Sequence, residues 1–357
     1  MTRNRSALGA QGNLTSVVGM ETYMQVELAS AAILIFLCPV TIAANSLLLT
    51  AIYRDPLRTF RTPTTFFIIG LACSDLVTAV AVEPFFAMNY IAHYIECGPV
   101  IDCEPSKVFL VLHRVGGIIS TIAISTSFLV VLALSVSQYI AVTYPHKYKD
   151  LITRSRVVWC VAFSYIYFIA FSLLQFTGLD TYTYLQIDLV LHPTLISIVL
   201  AVVHSLLYMS FRRHLNRRNT LKRRSTPHKR EKSDRRLNRE KTRQSDRQFT
   251  IVTFYLAGIL LASASLHTII LYVYFYHKER SHQANVDIHI CLRISDLLLF
   301  LKVMLDPFIY AWRLPAYRKA LKITLISTQQ RLRPHKYKTD GLSTVHESKK
   351  IMDSALN

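Results

Sequence analysis

The chain has 357 residues, 52% of them hydrophobic and 18% charged, with a formal net charge of +19 and a mean hydropathy of +0.30. Soluble globular domains carry roughly 25% charged residues, so this composition is that of a membrane protein rather than a soluble enzyme domain. The positive surplus is not a nucleic-acid footprint, because it is gathered into particular loops: residues 212–247 hold sixteen Lys/Arg against four Asp/Glu. No metal-ligand spacing, phosphate loop or nucleophile elbow rises out of the sequence, so neither catalysis nor a cofactor is expected.

Apolar runs of about 20 residues or more are read as bilayer spans. Seven occur, roughly at 28–53, 64–92, 108–142, 156–176, 188–211, 249–276 and 286–312. The segments 53–62, 146–156, 212–247 and everything after Arg313 are basic, whereas 92–107 and 176–188 are acidic or nearly neutral. The positive-inside rule then predicts an outside N-terminus, an inside C-terminus and an odd number of crossings, which seven satisfies. The expected architecture is an all-α seven-helix membrane bundle over 28–312. An extracellular segment 1–27 precedes it, and a short amphipathic helix 313–330 and a disordered cytoplasmic tail 331–357 follow. Residues 1–27 have no early apolar core, so the first span is expected to act as its own insertion signal. The sequons Asn4-Arg5-Ser6 and Asn13-Leu14-Thr15 fall on the predicted outer side, as glycosylation requires. Anionic inner-leaflet lipid suits the basic inner segments, and the lipid bilayer is the chain's immediate partner.

Several polar residues interrupt the spans. Asn45 lies in TIAANSLLL, where a buried amide serves either as glue between helices or in switching. Asp75 lies inside the second span, and Glu83 about two turns nearer the outside, just before Pro84. Cys97, Cys103 and Cys291 fall near the outside; a Cys97–Cys103 loop bridge is the simplest pairing, although Cys291 suits either partner. In the last span, Lys302 and Asp306 are four residues apart and share a helical face. A charge at membrane depth costs about 2.5–3.5 kcal/mol on insertion scales, so such residues are normally functional.

The run Asp306-Pro307-Phe308-Ile309-Tyr310, followed by Arg313 and a basic helix, resembles the end of the seventh helix of rhodopsin-like G-protein-coupled receptors. The third span ends in ALSVSQYIAVTYPHKY, where Ser137, Gln138 and Tyr139 occupy the places of the family's acid, Arg and Tyr. Trp159 and Tyr208 also stand at places the family marks. The sixth span departs from the pattern: aligned through Leu266-His267, Ser263 and Ser265 replace its Trp and Pro. The resemblance implies a plasma-membrane receptor for an extracellular ligand. Its partners would be a heterotrimeric G protein, meeting a face with Gln138, Tyr139 and Tyr208, and an arrestin. His113, where many members have a cysteine, and the cysteine-free second outer loop are similar to the melanocortin, adenosine, cannabinoid and lysolipid group. Ser120 replaces the acid that binds amines, so a monoamine ligand is not expected.

Carried over residue by residue, the family's sodium site would comprise Asp75, Ser127 and Asp306, with Lys302 in a place usually held by Asn or Ser. The expectation is that the Lys302 ammonium occupies that site and pairs with both acids; the alternative is that it snorkels elsewhere. Opsins attach retinal to a lysine whose position here is Phe300. Lys302 lies two residues on, about 200° around the helix, which excludes that attachment. Asn45, Asp75, Ser127, Lys302, Asp306 and Tyr310 thus form the expected intramembrane cluster. Polar residues in the outer halves, Glu83, His113, Arg114, His267, Arg293 and Asp296, mark the candidate ligand site. Ion pairs such as Glu83–Arg114 or Arg293–Asp296 would explain the same charges without a ligand. Three readings follow: a coupling receptor, a receptor-fold protein with impaired coupling (a ligand sink, arrestin-coupled receptor or dimer partner), and a transporter or channel. No repeated halves support the last.

Overall fold

The computed structural model describes residues 2–56, 58, 60–98, 100, 103–224, 234–277 and 281–332, and among these every regular element is helical. The helices are α1 (Thr2–Arg54), α2 (Pro63–Cys97), α3 (Lys107–Thr143), α4 (Arg154–Phe176), α5 (Thr181–Asn216), α6 (Asp234–Tyr276), α7 (His282–Arg313) and α8 (Pro315–Leu332), with a short helix Pro145–Leu151 after α3. Side chains at Asn4 and Asn13, those between 217 and 246, and the tail from 333 lie outside the described residues.

Among the described residues, six helices, α1 to α6, are long and apolar enough to cross a membrane. The 32-residue α7 carries Arg293, Asp296, Lys302 and Asp306 in its interior. Local signals set the helix starts. Pro63 opens α2, where its missing N–H costs nothing. The Ser281 hydroxyl accepts from the Ala284 N–H at 3.2 Å and caps α7. Pro84 removes a backbone donor inside α2, and the helix widens into a π-turn over Thr78–Val82 just before it. Pro193 sits inside a second such turn, Val190–Thr194, in α5. α1 runs unbroken through residues 27 and 28, so the bundle takes in residues N-terminal to the apolar run. α8 begins at Pro315, after Leu314 breaks the helical path, two residues later than expected.

The helices form a ring in the order α1, α2, α4, α3, α5, α6, α7, closed by α7 against α1; α3 reaches inward to touch α2, α4, α5 and α6. α8 lies against α1 and α7. Leu48, Leu71, Leu134, Phe168, Leu200 and Leu256 fill the main core, and Leu34, Val82, Tyr90 and Phe300 a second. Phe36, Trp159 and Phe163 are two-thirds exposed, as expected of side chains that face lipid tails. Cys97 and Cys103 are bonded at one end of the bundle, here the disulfide end, while Cys291 is unbridged and exposed. Arg54, Arg61, Arg154, Arg156 and Arg313 gather at the opposite, basic end.

α2 and α4 approach closely at Gly70. A Cβ there would stand 2.8 Å from Val161 Cγ1. The Tyr165 hydroxyl donates to the Gly70 carbonyl at 3.2 Å and lies 2.7 Å from Ser74 Oγ. Val161 is β-branched and cannot swing aside cheaply. Gly70→Leu is therefore expected to cost about 1–3 kcal/mol, read as a lower Tm of the purified chain in detergent. Gly117→Ala, whose Cβ would meet nothing within 4 Å, is the neutral control.

Candidate functional site

Polar side chains that the sequence scatters over all seven helices meet in four places. Midway along the bundle, α7 presents Lys302 and Asp306 on one face, and both are almost fully buried, at 2% and 1% exposure. The Lys302 ammonium lies 2.8 Å from Asp306 Oδ2 and donates to Ser127 Oγ on α3 at 2.9 Å. Lys302 therefore points into the bundle. Asp75 is buried nearby on α2, but no ion pair within 4.0 Å joins it to Lys302, and its Oδ2 has no partner. The three-way pairing expected from the sequence is thus a pair plus a hydroxyl. Lys302 is four residues from Asp306 on one helix, whereas Asp75 must be reached across an interface. The residues do not fit a resident sodium ion, because Ser127 and Asp306, the oxygens it would need, already face a fixed ammonium. Asn45 is buried on α1, where its amide donates to the Thr41 carbonyl at 3.2 Å; the partner is on its own helix, not a neighbour. Tyr310 is buried with its hydroxyl unpartnered.

Toward the disulfide end a second cluster joins α1, α2, α6 and α7. Arg293 Nε donates to Glu27 Oε1 at 2.7 Å, and its guanidinium lies 4.3 Å from the centre of the Tyr90 ring. The Tyr90 hydroxyl donates to Asp296 Oδ2 at 3.4 Å. His267 Nδ1 lies 3.3 Å from Asp296 Oδ1 and 2.9 Å from Ser295 Oγ. Three expected ligand residues, His267, Arg293 and Asp296, are thereby brought together. The others are not: Glu83 is buried with both oxygens unpartnered, His113 packs 4.9 Å from the Phe86 ring, and Arg114 is exposed on α3. Neither ion pair anticipated from the sequence, Glu83–Arg114 or Arg293–Asp296, forms. Arg293 turns to Glu27, which sequence reasoning missed because it lies at the edge of the first apolar run; its one signal was an acid abutting that run.

A third polar group, also unforeseen, lies between α4 and α5. His192, held in the π-turn around Pro193, is buried with Nδ1 2.6 Å from Asp188 Oδ1 and Nε2 3.0 Å from the Tyr167 hydroxyl.

At the basic end, Gln138 on α3 is buried, and its Oε1 accepts from the Thr250 hydroxyl of α6 at 3.2 Å. Tyr139 is half-buried, and Tyr208 is 53% exposed, with its ring edge toward Phe254. Arg313, the last residue of α7, donates to the Tyr255 hydroxyl of α6, and its guanidinium lies over the Tyr255 and Trp312 rings, 4.7 and 4.1 Å from their centres. Thr250 and Tyr255 were invisible as functional residues, since a Thr and a Tyr in an apolar span carry no pattern of their own.

Residues 44–310 match the profile of the 7 transmembrane receptor (rhodopsin family). Among similar proteins are the dopamine D2-like receptor of Drosophila melanogaster, 30% identical over 37% of this chain and 14% of that protein. The histamine H2 receptor of Cavia porcellus is 31% identical over 41% of this chain and 37% of its own length, and the human adenosine receptor A2b 26% identical over 40% and 38%. The match spans well under half the length of these curated relatives.

Removing one partner of a buried ion pair typically costs about 3–5 kcal/mol, whereas an apolar pair of similar volume is often neutral. Lys302→Met is expected to lower Tm and surface yield sharply, Lys302→Met/Asp306→Leu to recover most of the loss, and added sodium to leave the wild-type Tm unchanged. A Tm that rises strongly with millimolar sodium would contradict the tethered ammonium.

Proposed function

The chain belongs to the rhodopsin family of seven-transmembrane receptors, and from that membership we propose that it carries an extracellular signal to a heterotrimeric G protein at the plasma membrane. Residues 1–27 and the disulfide end would then lie outside, with the basic loop 212–247, α8 and the tail inside. This orientation places every strongly basic segment against the negatively charged leaflet. The observation that carries the reading is the Gln138–Thr250 bond, which joins α3 to α6 at the end where a G protein would dock. A link between these two helices that opens and closes is a two-state element on which a ligand can act. Its neutral character sets its strength. A hydrogen bond between uncharged groups is worth about 0.5–1.5 kcal/mol net, against about 1.5–3 for one to a charged group.

The ligand would engage His267, Arg293 and Asp296, the three outer residues that share a cluster. His267 matches the adenosine pattern, and an adenosine receptor is among the similar proteins, but Ile270 stands where that subfamily's adenine-binding Asn lies, so its ligand does not carry over to this chain. The dopamine and histamine receptors also match, but Ser120 leaves this chain without the third-helix acid by which an amine would be held. Glu27→Gln would strand the Arg293 guanidinium, so ligand response and surface yield should fall together.

A second reading, supported by Gln138, Ser263 and Ser265, is a receptor whose coupling face is disarmed and which acts through arrestin, as a ligand sink, or as a dimer partner. Second-messenger output without added ligand separates the two. Wild type and Gln138→Arg are compared at matched surface level, with Thr250→Val as a third arm. A coupling receptor shifts cAMP or calcium above mock cells in its wild-type form, and Thr250→Val raises that output about two- to tenfold by removing the latch. Output from Gln138→Arg alone would favour the second reading.

A further inference from the structure

α7 ends in a cation that has no counter-charge. Arg313 is its last residue, at the corner where Leu314 breaks the helical path and Pro315 opens α8. Among the described residues no carboxylate lies within 4.0 Å of its guanidinium. The favourable field it meets is the partial negative charge of α7's own C-terminus. Its Nε is buried and has no acceptor. Two rings and one hydroxyl hold it instead. Tyr255 of α6 and Trp312 of α7 stand with their ring centres 5.4 Å apart. The guanidinium lies over both, and Nη2 donates to the Tyr255 hydroxyl. A hydrogen bond from a charged donor outweighs one between neutral groups, and the ring faces add a cation–π attraction. The contact is therefore a firmer hold on α6 than the Gln138–Thr250 bond.

Tyr255 follows Thr250 by five residues, about 7.5 Å along α6 toward the disulfide end at about 1.5 Å per residue. The guanidinium that Tyr255 holds thus sits deeper in the bundle than the Gln138–Thr250 bond. When the α3–α6 link opens, Tyr255 moves with α6 while Trp312 stays on α7. Arg313 then keeps one ring, loses the hydroxyl, and presents an unpaired fork to the gap. The group that completes such a fork is a carboxylate, whose two oxygens match its geometry. A carboxylate reaches that depth only on a narrow segment entering from the basic end.

We propose that Arg313 is a latch between α6 and α7, released when the C-terminal carboxylate of an inserted partner helix takes its guanidinium from Tyr255. The latch rests on the contacts above; the partner rests on the proposed coupling to a G protein. Gln138 leaves α3 without a cation at this end of the bundle, and Arg313 supplies one from α7.

Two measurements on the full chain purified in detergent test the two halves. Amide hydrogen exchange over residues 247–256 reports opening of the inner end of α6. Tyr255→Phe, which keeps the ring and removes the hydroxyl, should speed it about fivefold, and Arg313→Gln about 20-fold. Tyr272→Phe, which removes a tie at the disulfide end, should leave it unchanged. Unchanged exchange in both latch variants, or an equal rise in the control, overturns the latch. Should Arg313→Gln fail to fold, Tyr255→Phe decides. The second measurement is the binding of synthetic peptides copying the C-terminal ends of the main classes of G-protein α subunit, each made as the free acid and as the C-terminal amide. Wild type is expected to bind one acid about tenfold tighter than its amide, and Arg313→Gln to bind both alike. Wild type that binds acid and amide equally, or Arg313→Gln that keeps the preference, overturns the carboxylate assignment. Binding of neither form, with exchange as expected, marks failure of the G-protein reading; it overturns the partner and leaves the latch standing.

Discussion

A lysine ammonium buried in a membrane bundle must be neutralised where it stands, and the structure is arranged around that requirement. Taking an ion out of water costs several kcal/mol even after relaxation, and only a close counter-charge with further hydrogen bonds repays it. Asp306, one turn on along α7, supplies the charge, and Ser127 on α3 supplies the bond. The second contact ties α7 to the innermost helix. α3 touches α2, α4, α5 and α6, so fixing α7 on α3 fixes the closing segment of the ring on its hub. Asp75, which shares the region without sharing the cation, is the residue this solution leaves over. Its environment follows from the chemistry of Lys302, since a tethered cation cannot move to the point midway between two acids as a free ion can.

The disulfide end solves a similar problem with different elements. Glu27 and Arg293 pair across α1 and α7, Tyr90 covers the guanidinium with its ring, and Asp296 and His267 extend the network to α6. α1 is thereby more than an insertion segment. Its first buried turns, with Tyr23 and Glu27, are built into the bundle at the place where α7 begins. A small outer stimulus acting on this network would reach α1, α6 and α7 together, whereas one acting near His192 would reach α4 and α5.

The helical nature of the spans was legible in the sequence because lipid imposes a minimum length and an apolar composition on each, and among the described residues α1 to α6 meet those limits, most of them running well beyond the minimum. The Lys302–Asp306 pair was legible for an equally local reason: four residues on one helix fix a distance. Contacts across helices were not. Asn45 was expected to bond a neighbour and bonds Thr41 on its own helix; Arg293 was expected to pair with Asp296 and reaches Glu27 instead. Thr250, Tyr255 and His192 carried no signal, because their roles depend on rotation of one helix against another, which periodicity does not set. Cys97–Cys103 was one of several pairings the sequence left open, and a seven-residue loop brings those two within reach at almost no entropic cost.

The distribution of these ties says how α6 can move. Near the disulfide end it is held by the Tyr182 hydroxyl on the Phe275 carbonyl at 2.6 Å, by Thr194 with Tyr272 at 3.1 Å, and by His267 on Ser295 and Asp296. At the basic end α6 is tied by the bond between uncharged side chains, Thr250 to Gln138, by the Arg313–Tyr255 contact, and by the Phe254 ring against His204, Tyr208 and Phe211 of α5. Among the described ties, the one to α3 joins uncharged groups and is the weaker. Ser263 and Ser265 give α6 no proline at which to bend, and Gly258, with open space around it, makes only a mild soft point. Displacement of α6 is therefore cheapest as a tilt of a nearly rigid rod about its disulfide end, opening a gap beside Gln138. A charged residue in place of Gln138 would bias that tilt electrostatically, whereas the amide contributes a hydrogen bond between uncharged groups.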